Sequence, residues 1–275
     1  MNSVFQLLGA DAFFWCAAVL VFGLCIGSFL NVCISRIPHS KSIILPASAC
    51  PACGVRIRWF DNIPLLSWLL LRAKCRDCKQ KIPVTYPAIE LLTGILFLAV
   101  FYLYGFSWFT PTYWLAVFGL LLGTFIDINC LILPDRVTIG GMILFPMIST
   151  MFPALHGAAT RLAGLTISLL GLTAGFGLFF AVRIIGGAVA RREALGFGDV
   201  KLMGALGALL GWQAVLYITF FSALTGSVIG LILIAGGKKE LQSRIPYGPY
   251  IALAALSWIL GGFRLWDFYV SQTGF

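Results

Sequence analysis

The sequence predicts an all-α integral membrane protein of about eight transmembrane helices with one small polar loop domain. Three observations carry that expectation. First, 60% of the 275 residues are hydrophobic and 11% are charged, whereas a soluble domain carries about 25% charged residues. Second, the few charges punctuate long apolar runs. Third, the basic residues collect in alternate connections between those runs, the pattern of a multi-pass protein with Lys and Arg on its cytoplasmic side.

The elements follow from the charge spacing. The stretch MNSVFQLLGADAFFW has no Lys or Arg, and the first basic residue is Arg36. A cleavable signal peptide opens on a basic region, so the first apolar run, Ala12 to Ser35, is expected to remain as a spanning helix of roughly 20 residues or more. No charged residue occurs between Glu90 and Asp127, and GFSWFTPTY (105–113) divides that stretch into two spans. A fourth segment is expected over about 138–154 and a fifth over about 162–185. No charge lies between Lys201 and Lys238, and GWQ (211–213) divides that stretch into a short sixth helix, 201–211, and a longer seventh. The sixth is too short to cross alone unless it extends or sits among other helices. The eighth begins near Tyr250.

Loop 36–85 carries nine Lys and Arg. Arg136, then Arg183, Arg191, Arg192 and Lys201, then Lys238, Lys239 and Arg244 lie in later connections on the same side, and only Arg161 and Arg264 fall opposite. This puts loop 36–85 in the cytoplasm and both termini outside. It also accounts for the net charge of +9 without nucleic acid, since no basic patch interleaved with aromatics recurs outside that loop. The expected divisions are a first transmembrane helix (1–35), a cytoplasmic cysteine loop (36–85) and a transmembrane core (86–275).

The loop contains CPAC (50–53) and CRDC (75–78), two C-x2-C pairs separated by twenty-one residues. Cys50, Cys53, Cys75 and Cys78 supply the four thiolates of a closed tetrahedral Zn²⁺ shell, a structural rather than catalytic site. Two disulfides, free thiols or a redox dithiol are the alternatives, and a cytoplasmic loop disfavours persistent disulfides. Cys16, Cys25, Cys33 and Cys130 are scattered in or beside spans as small apolar packing residues. His39 and His156 stand alone in polar connections, with no second histidine and no Ser or Cys nearby in a triad-like arrangement.

Most acidic residues have ordinary explanations. Asp61, Asp77 and Glu193 are expected to be solvated. Asp135 in LPDRVT is expected to cap the fourth helix. Asp11, Glu240 and Asp267 flank spans. Glu90, Asp127 and Asp199 remain. A carboxylate at membrane depth costs about 2.5–3.5 kcal/mol on insertion scales and by default marks function. Asp199, in GFGDVKLM (196–203), read alone is a helix cap. Read with Asp127, the topology puts two carboxylates at the same membrane face. Two facing carboxyls share one proton, the state that hydrolysis by an aspartyl mechanism needs. Gly196 and Gly198 tolerate positive φ and close backbone approach, so an extended peptide fits beside them; an ordinary turn before a helix needs glycine too.

The chain resembles the prepilin peptidases, the type IV leader peptidases among the GxGD-type intramembrane aspartyl proteases. The resemblance rests on GSFLNVCISRIP (27–38), CPACGVRIRWFDNIPLLSWLLLRAKCRDCKQKI (50–82), YPAIELLTG (86–94), IDINCLILPD (126–135), GFGDVKLM (196–203) and IPYGPYI (245–251), in family order. It implies a bacterial inner-membrane enzyme that cuts the short basic leader of prepilins or pseudopilins after a glycine, at the cytoplasmic face, with Asp127 and Asp199 as the catalytic pair. It implies N-methylation of the new N-terminal residue with S-adenosylmethionine as methyl donor, and it associates Glu90 with that transfer. Glu90 paired with a basic loop residue is the structural alternative. Lys201 matches the family's G-x-G-D-x-K; it would favour ionised Asp199, lie near the substrate, or anchor at the interface. Type IV pilus assembly and type II secretion both use such an enzyme. A leader peptidase without methyltransferase activity, a transporter with an intramembrane proton relay, and a non-catalytic zinc-loop binding protein are the other readings. No internal repeat of the transporter kind is visible.

Overall fold

A computed structural model of the chain describes residues 11–190, 195–236 and 246–273. Arg191, Arg192, Glu193, Lys238, Lys239, Glu240 and Arg244 lie outside the described residues, as do both chain ends and Ile245 of IPYGPYI. The described residues are helical apart from loops and two isolated β-bridges. They fall into two compact units, Met1–Leu122 and Gly123–Phe275.

The first unit opens with α1 (Ala12–Arg36). A loop follows, holding the short α2 (Leu66–Leu70). Then come α3 (Thr85–Tyr104) and the start of α4 (Phe109–Cys130). Helix α1 packs on α3 through small residues. A Cβ at Gly23 would lie 2.8 Å from the Gly94 Cα, and one at Gly27 would lie 2.6 Å from the Glu90 Cα. Glycines four apart put two backbones in contact, the common device where lipid gives no hydrophobic drive for helix association. Trp114 of α4 stacks on Phe97 of α3 at 5.1 Å, and its indole N–H donates to the Phe97 carbonyl at 2.9 Å.

The second unit contains the end of α4, then α5 (Asp135–Met151), α6 (Arg161–Ala190), α7 (Phe197–Leu210), α8 (Trp212–Ala235), α9 (Gly248–Ser257) and α10 (Phe263–Thr273). Between α9 and α10 the chain makes a wide turn, Trp258–Gly262, where Gly261 takes φ 120°. Helix α7 is buried on nearly every side from Asp199 to Leu209. Its closest neighbour is α6: a Cβ at Gly171 or Gly207 would collide with the other residue's carbonyl oxygen, and one at Gly175 with the Met203 carbonyl.

Among the described residues, six helices are long and apolar enough to cross a membrane: Ala12–His39, Thr85–Tyr104, Phe109–Cys130, Arg161–Val189, Trp212–Leu233 and Gly248–Gln272. Two apolar helices of the second unit are shorter, α5 with 17 residues and α7 with 14. At 1.5 Å per residue, α7 reaches about 21 Å, less than a hydrocarbon core of about 30 Å. Its C-terminal carbonyls therefore need partners inside the unit. Ser168 Oγ donates to the Ala208 carbonyl at 2.7 Å, and the Gly211 amide, at φ 85°, closes onto Gly207 at 2.9 Å.

His156 belongs to the same end. Its Nε2 is 3.0 Å from Ser149 Oγ, and the ring also bonds the Ala208 backbone. This corrects the expectation of a histidine with no serine nearby. Ser149 is fully buried, so its hydroxyl has no route to a substrate. The pair closes a helix end and does not form a nucleophile with its base.

Candidate functional site

In the second unit, two helix N-termini and the last turn of α4 build the carboxylate site. Asp127 lies in that last turn, is 6% exposed, and its Oδ2 accepts the backbone N–H of Gly248 at 3.0 Å. Gly248 is the first residue of α9, so this amide is one of the donors that a helix leaves unpaired at its start. A carboxylate there is favoured by the helix dipole as well. Gly248 is glycine for a local reason: a Cβ would sit 2.8 Å from Asp127 Oδ2. IPYGPYI (245–251) does not by itself assign Gly248 to the site; the pairing of Gly with Pro at a helix start is the available signal.

Asp199 is also 6% exposed. It is not the cap of α7. That place belongs to Gly196, in extended backbone at φ −64° and ψ 142°, and Asp199 lies in the first turn. The Gly196 backbone amide is a favourable partner of the Asp199 carboxyl, the geometry of a third helical residue reaching back to its cap. Oδ1 of Asp199 is buried with no hydrogen-bond partner among the described residues. The Asp127 and Asp199 carboxyls are close enough to interact electrostatically, as are Asp199 and Tyr247. The Tyr247 hydroxyl is 2.9 Å from Ser222 Oγ.

The glycines of GFGD act through space and not through φ. Neither Gly196 nor Gly198 has positive φ, which corrects that part of the expectation. A Cβ on Gly198 would lie 2.8 Å from Leu133 Cβ, and one on Gly196 would lie 3.0 Å from Asp199 Oδ2. Leu133 is also 3.4 Å from a Cβ placed on Gly248 and 3.1 Å from one on Gly123. One leucine thus fills the space left by three glycines around the two acids.

Lys201 Nζ is 2.6 Å from Asp135 Oδ1 and 5.0 Å from the Phe197 ring centre. Its charge is committed to Asp135. Asp135 is the first residue of α5, after Pro134, and makes no capping hydrogen bond. The expected cap is instead half of an ion pair.

In the first unit, Cys50, Cys53, Cys75 and Cys78 come together with all four sulfurs within 4.8 Å of one another. The Cys50 and Cys78 sulfurs are 3.8 Å apart. A tetrahedral Zn²⁺ with Zn–S of about 2.3 Å puts its sulfurs about 3.8 Å apart, so the cluster fits a metal ion of that kind. The eight cysteines are free thiols. The two halves of the cluster are built alike. The Cys50 amide bonds the Val55 carbonyl at 2.9 Å, and the Cys75 amide bonds the Gln80 carbonyl at 2.8 Å. The Gly54 amide returns to Cys50, and the Lys79 amide returns to Cys75. Gly54 has φ 71° and Lys79 has φ 61°. The backbone amides of Cys53 and Ala52 draw the Cys50 thiol down to about 7, while the neighbouring Cys78 thiol is pushed up to about 11 within the same cluster.

Asp61 is not solvated as expected. Arg76 grips it with two bonds, at 2.8 and 2.6 Å, tying the CRDC half of the loop to the segment after CPAC. Those bonds hold the Asp61 carboxyl below its usual range.

Glu90, 8% exposed in α3, accepts the Leu65 N–H at 2.9 Å through Oε2 and bonds the Ser28 side chain. Its partners are a loop amide and a hydroxyl, not a basic residue. Leu65 is held at φ 58°.

Two family models match the chain: the bacterial peptidase A24 N-terminal domain over residues 21–104 and the type IV leader peptidase family over residues 114–231. A Myxococcus xanthus protein named prepilin leader peptidase/N-methyltransferase is 42% identical, covering 84% of this chain and 68% of the relative. Proteins of the same name from Aeromonas salmonicida and Pseudomonas aeruginosa are 32% and 33% identical. The alignments cover 98% of this chain and 99% of the former, and 96% of both this chain and the latter. No solved structure matches the chain. The six long apolar helices and these relatives make it a multi-pass membrane protein, and it belongs to the type IV leader peptidase family.

Proposed function

We propose that the chain cleaves the basic leader of type IV prepilins or pseudopilins with Asp127 and Asp199, then N-methylates the new N-terminal residue. The observation that carries the proposal is the buried, electrostatically linked pair: Asp127 held by the Gly248 amide, Asp199 with a free Oδ1. Two such carboxyls hold one proton between them. The ionised member takes a proton from water as its oxygen attacks the scissile carbonyl. The protonated member supports the oxyanion, and a proton passes to the leaving amine as the C–N bond breaks. Gly198 holds the Asp199 turn against Leu133, and Gly196 leaves room for the Asp199 carboxyl, so the two position the acid. Lys201, paired with Asp135, fixes the start of α7 to the start of α5.

The names of the relatives support the methyltransferase half, with Glu90 as the residue of this chain assigned to it. When bound, S-adenosylmethionine supplies an electrophilic methyl group. Zn²⁺ at the four cysteines is structural, ordering a loop too small to fold on its own core. The Lys and Arg distribution supports an inner-membrane enzyme with loop 36–85, Asp127 and Asp199 at the cytoplasmic face, with 1–35 as first helix and 86–275 as the peptidase core. The test is to incubate the purified enzyme with a prepilin and labelled S-adenosylmethionine and identify the new N-terminus by mass spectrometry. Leader cleavage with a methylated product is expected. An uncut prepilin refutes the peptidase, and a cut, unmethylated one leaves a peptidase alone.

A further inference from the structure

The first unit contains a cavity of about 350 Å³ between the last turns of α1 and the loop, with walls from Ser28, Phe29 and Arg36 on one side and Ile44, Asn62 and Pro64 on the other. We propose that this cavity binds S-adenosylmethionine, an inference that rests on the N-methyltransferase reading above. The size is that of a site for a ligand of a few hundred daltons. The wall chemistry is divided as this donor is divided. Phe29, Ile44 and Pro64 offer apolar surface for a flat base. Arg36 offers a guanidinium for a carboxylate. One of its nitrogens, Nη1, is anchored 3.0 Å from the Ser42 carbonyl, which holds the group in place. Asn62 and Ser28 add polar groups.

Glu90 ties the cavity together. It does not line it, but it bonds Ser28 on the α1 wall and the Leu65 amide, next to Pro64 on the loop wall. The α1 wall is also pressed onto α3 at this level, where Gly27 meets the Glu90 backbone. Glu90 is therefore a positioning residue that fixes the spacing of the two walls through Ser28 and the Leu65 amide. An anionic lipid headgroup shares the carboxylate's affinity for Arg36 but not the need for a flat base.

The test uses the full chain in detergent and S-adenosylhomocysteine, which binds like the donor and does not react. Calorimetry gives its affinity for the wild type, for Arg36→Gln and for Ala47→Trp, which fills the cavity from the loop side. Each variant is expected to bind at least about tenfold more weakly, as loss of a charge-assisted bond or of the space requires. Metal content and the midpoint of thermal unfolding serve as fold controls. Cys25 also lines the cavity, and its maleimide labelling, read by mass spectrometry, should slow when S-adenosylhomocysteine is saturating. Unchanged affinity in both folded variants, or protection of Cys25 by anionic lipid and not by S-adenosylhomocysteine, overturns the site while methyl transfer to the cleaved product still stands. If the wild type neither binds S-adenosylhomocysteine nor methylates its product, the methyltransferase reading falls with it.

Discussion

The backbone amide of Gly248 donates to Asp127 across 121 residues of sequence, at 3.0 Å. Each acid is held by an amide at a helix start, Asp127 by Gly248 and Asp199 by Gly196. Asp199 also keeps one buried oxygen with no hydrogen-bond partner among the described residues.

Asp127→Asn and Asp199→Asn should each lower leader cleavage by about 10³-fold or more, and the double variant should be no worse than either single, because members of one catalytic unit are not additive. Asn at 127 keeps an oxygen for the Gly248 amide, so folding should persist. Single-turnover cleavage of a prepilin in membranes measures it. A folded Asp199→Asn enzyme with near wild-type rate would remove the aspartyl mechanism.

Gly198→Ala should cost activity through packing. The added methyl meets Leu133 Cβ at 2.8 Å, and overpacking of this kind costs about 1–3 kcal/mol. Leu133→Ala leaves that Cβ in place and should not relieve the clash. Leu133→Gly removes it. A double-variant cycle of Gly198→Ala with Leu133→Gly should show a favourable coupling, read as unfolding midpoints and cleavage rates; additive losses would mean that the glycine serves something other than Leu133.

The helix plan was legible in the sequence because charge is expensive in a bilayer, so Glu90, Asp127 and Lys201 bracket apolar stretches. The fourth and fifth helices, expected over 138–154 and 162–185, are found at Asp135–Met151 and Arg161–Ala190. The cysteine cluster was legible from spacing alone. The sixth helix was placed from 201, and it starts at Phe197, because a buried Asp in the first turn resembles a cap when only the chain is visible. The Gly248 donor, the Arg76–Asp61 grip and the Ser149–His156 clasp were not legible. Each depends on a tertiary approach that no local spacing encodes.

Lys79 occupies the left-handed backbone position that Gly54 fills in the matching half of the cysteine cluster. A residue with a Cβ gives up about 1–2 kcal/mol there. Lys79→Gly should relieve part of that strain, offset by greater freedom in the unfolded chain. Gly54→Ala should do the reverse. Thermal unfolding with Zn²⁺ present should rise for Lys79→Gly and fall for Gly54→Ala. A strong chelator should reduce the difference, since Zn²⁺ at the four cysteines would hold both halves in this geometry. Equal midpoints for both variants with Zn²⁺ present would show that the backbone at these two positions carries no strain.

Glu90→Ala and Glu90→Gln separate a positioning role from a proton-transfer role. The Leu65 amide needs an acceptor, and the side-chain carbonyl of Gln supplies one in nearly the same place. Alanine leaves that buried N–H unpaired, at a cost of about 1–3 kcal/mol, and releases the loop from α3. If Glu90 works by spacing the cavity walls, Glu90→Ala should raise the KM for S-adenosylmethionine by about tenfold or more. The maximal rate of methylation should change less. Glu90→Gln should recover most of the KM. If Glu90 instead carries a proton in the reaction, Gln should be as poor as Ala, and the loss should appear in kcat. Methylation kinetics on a pre-cleaved peptide, which bypass the aspartate site, decide between the two: a kcat defect in Glu90→Gln at wild-type KM would overturn the positioning role.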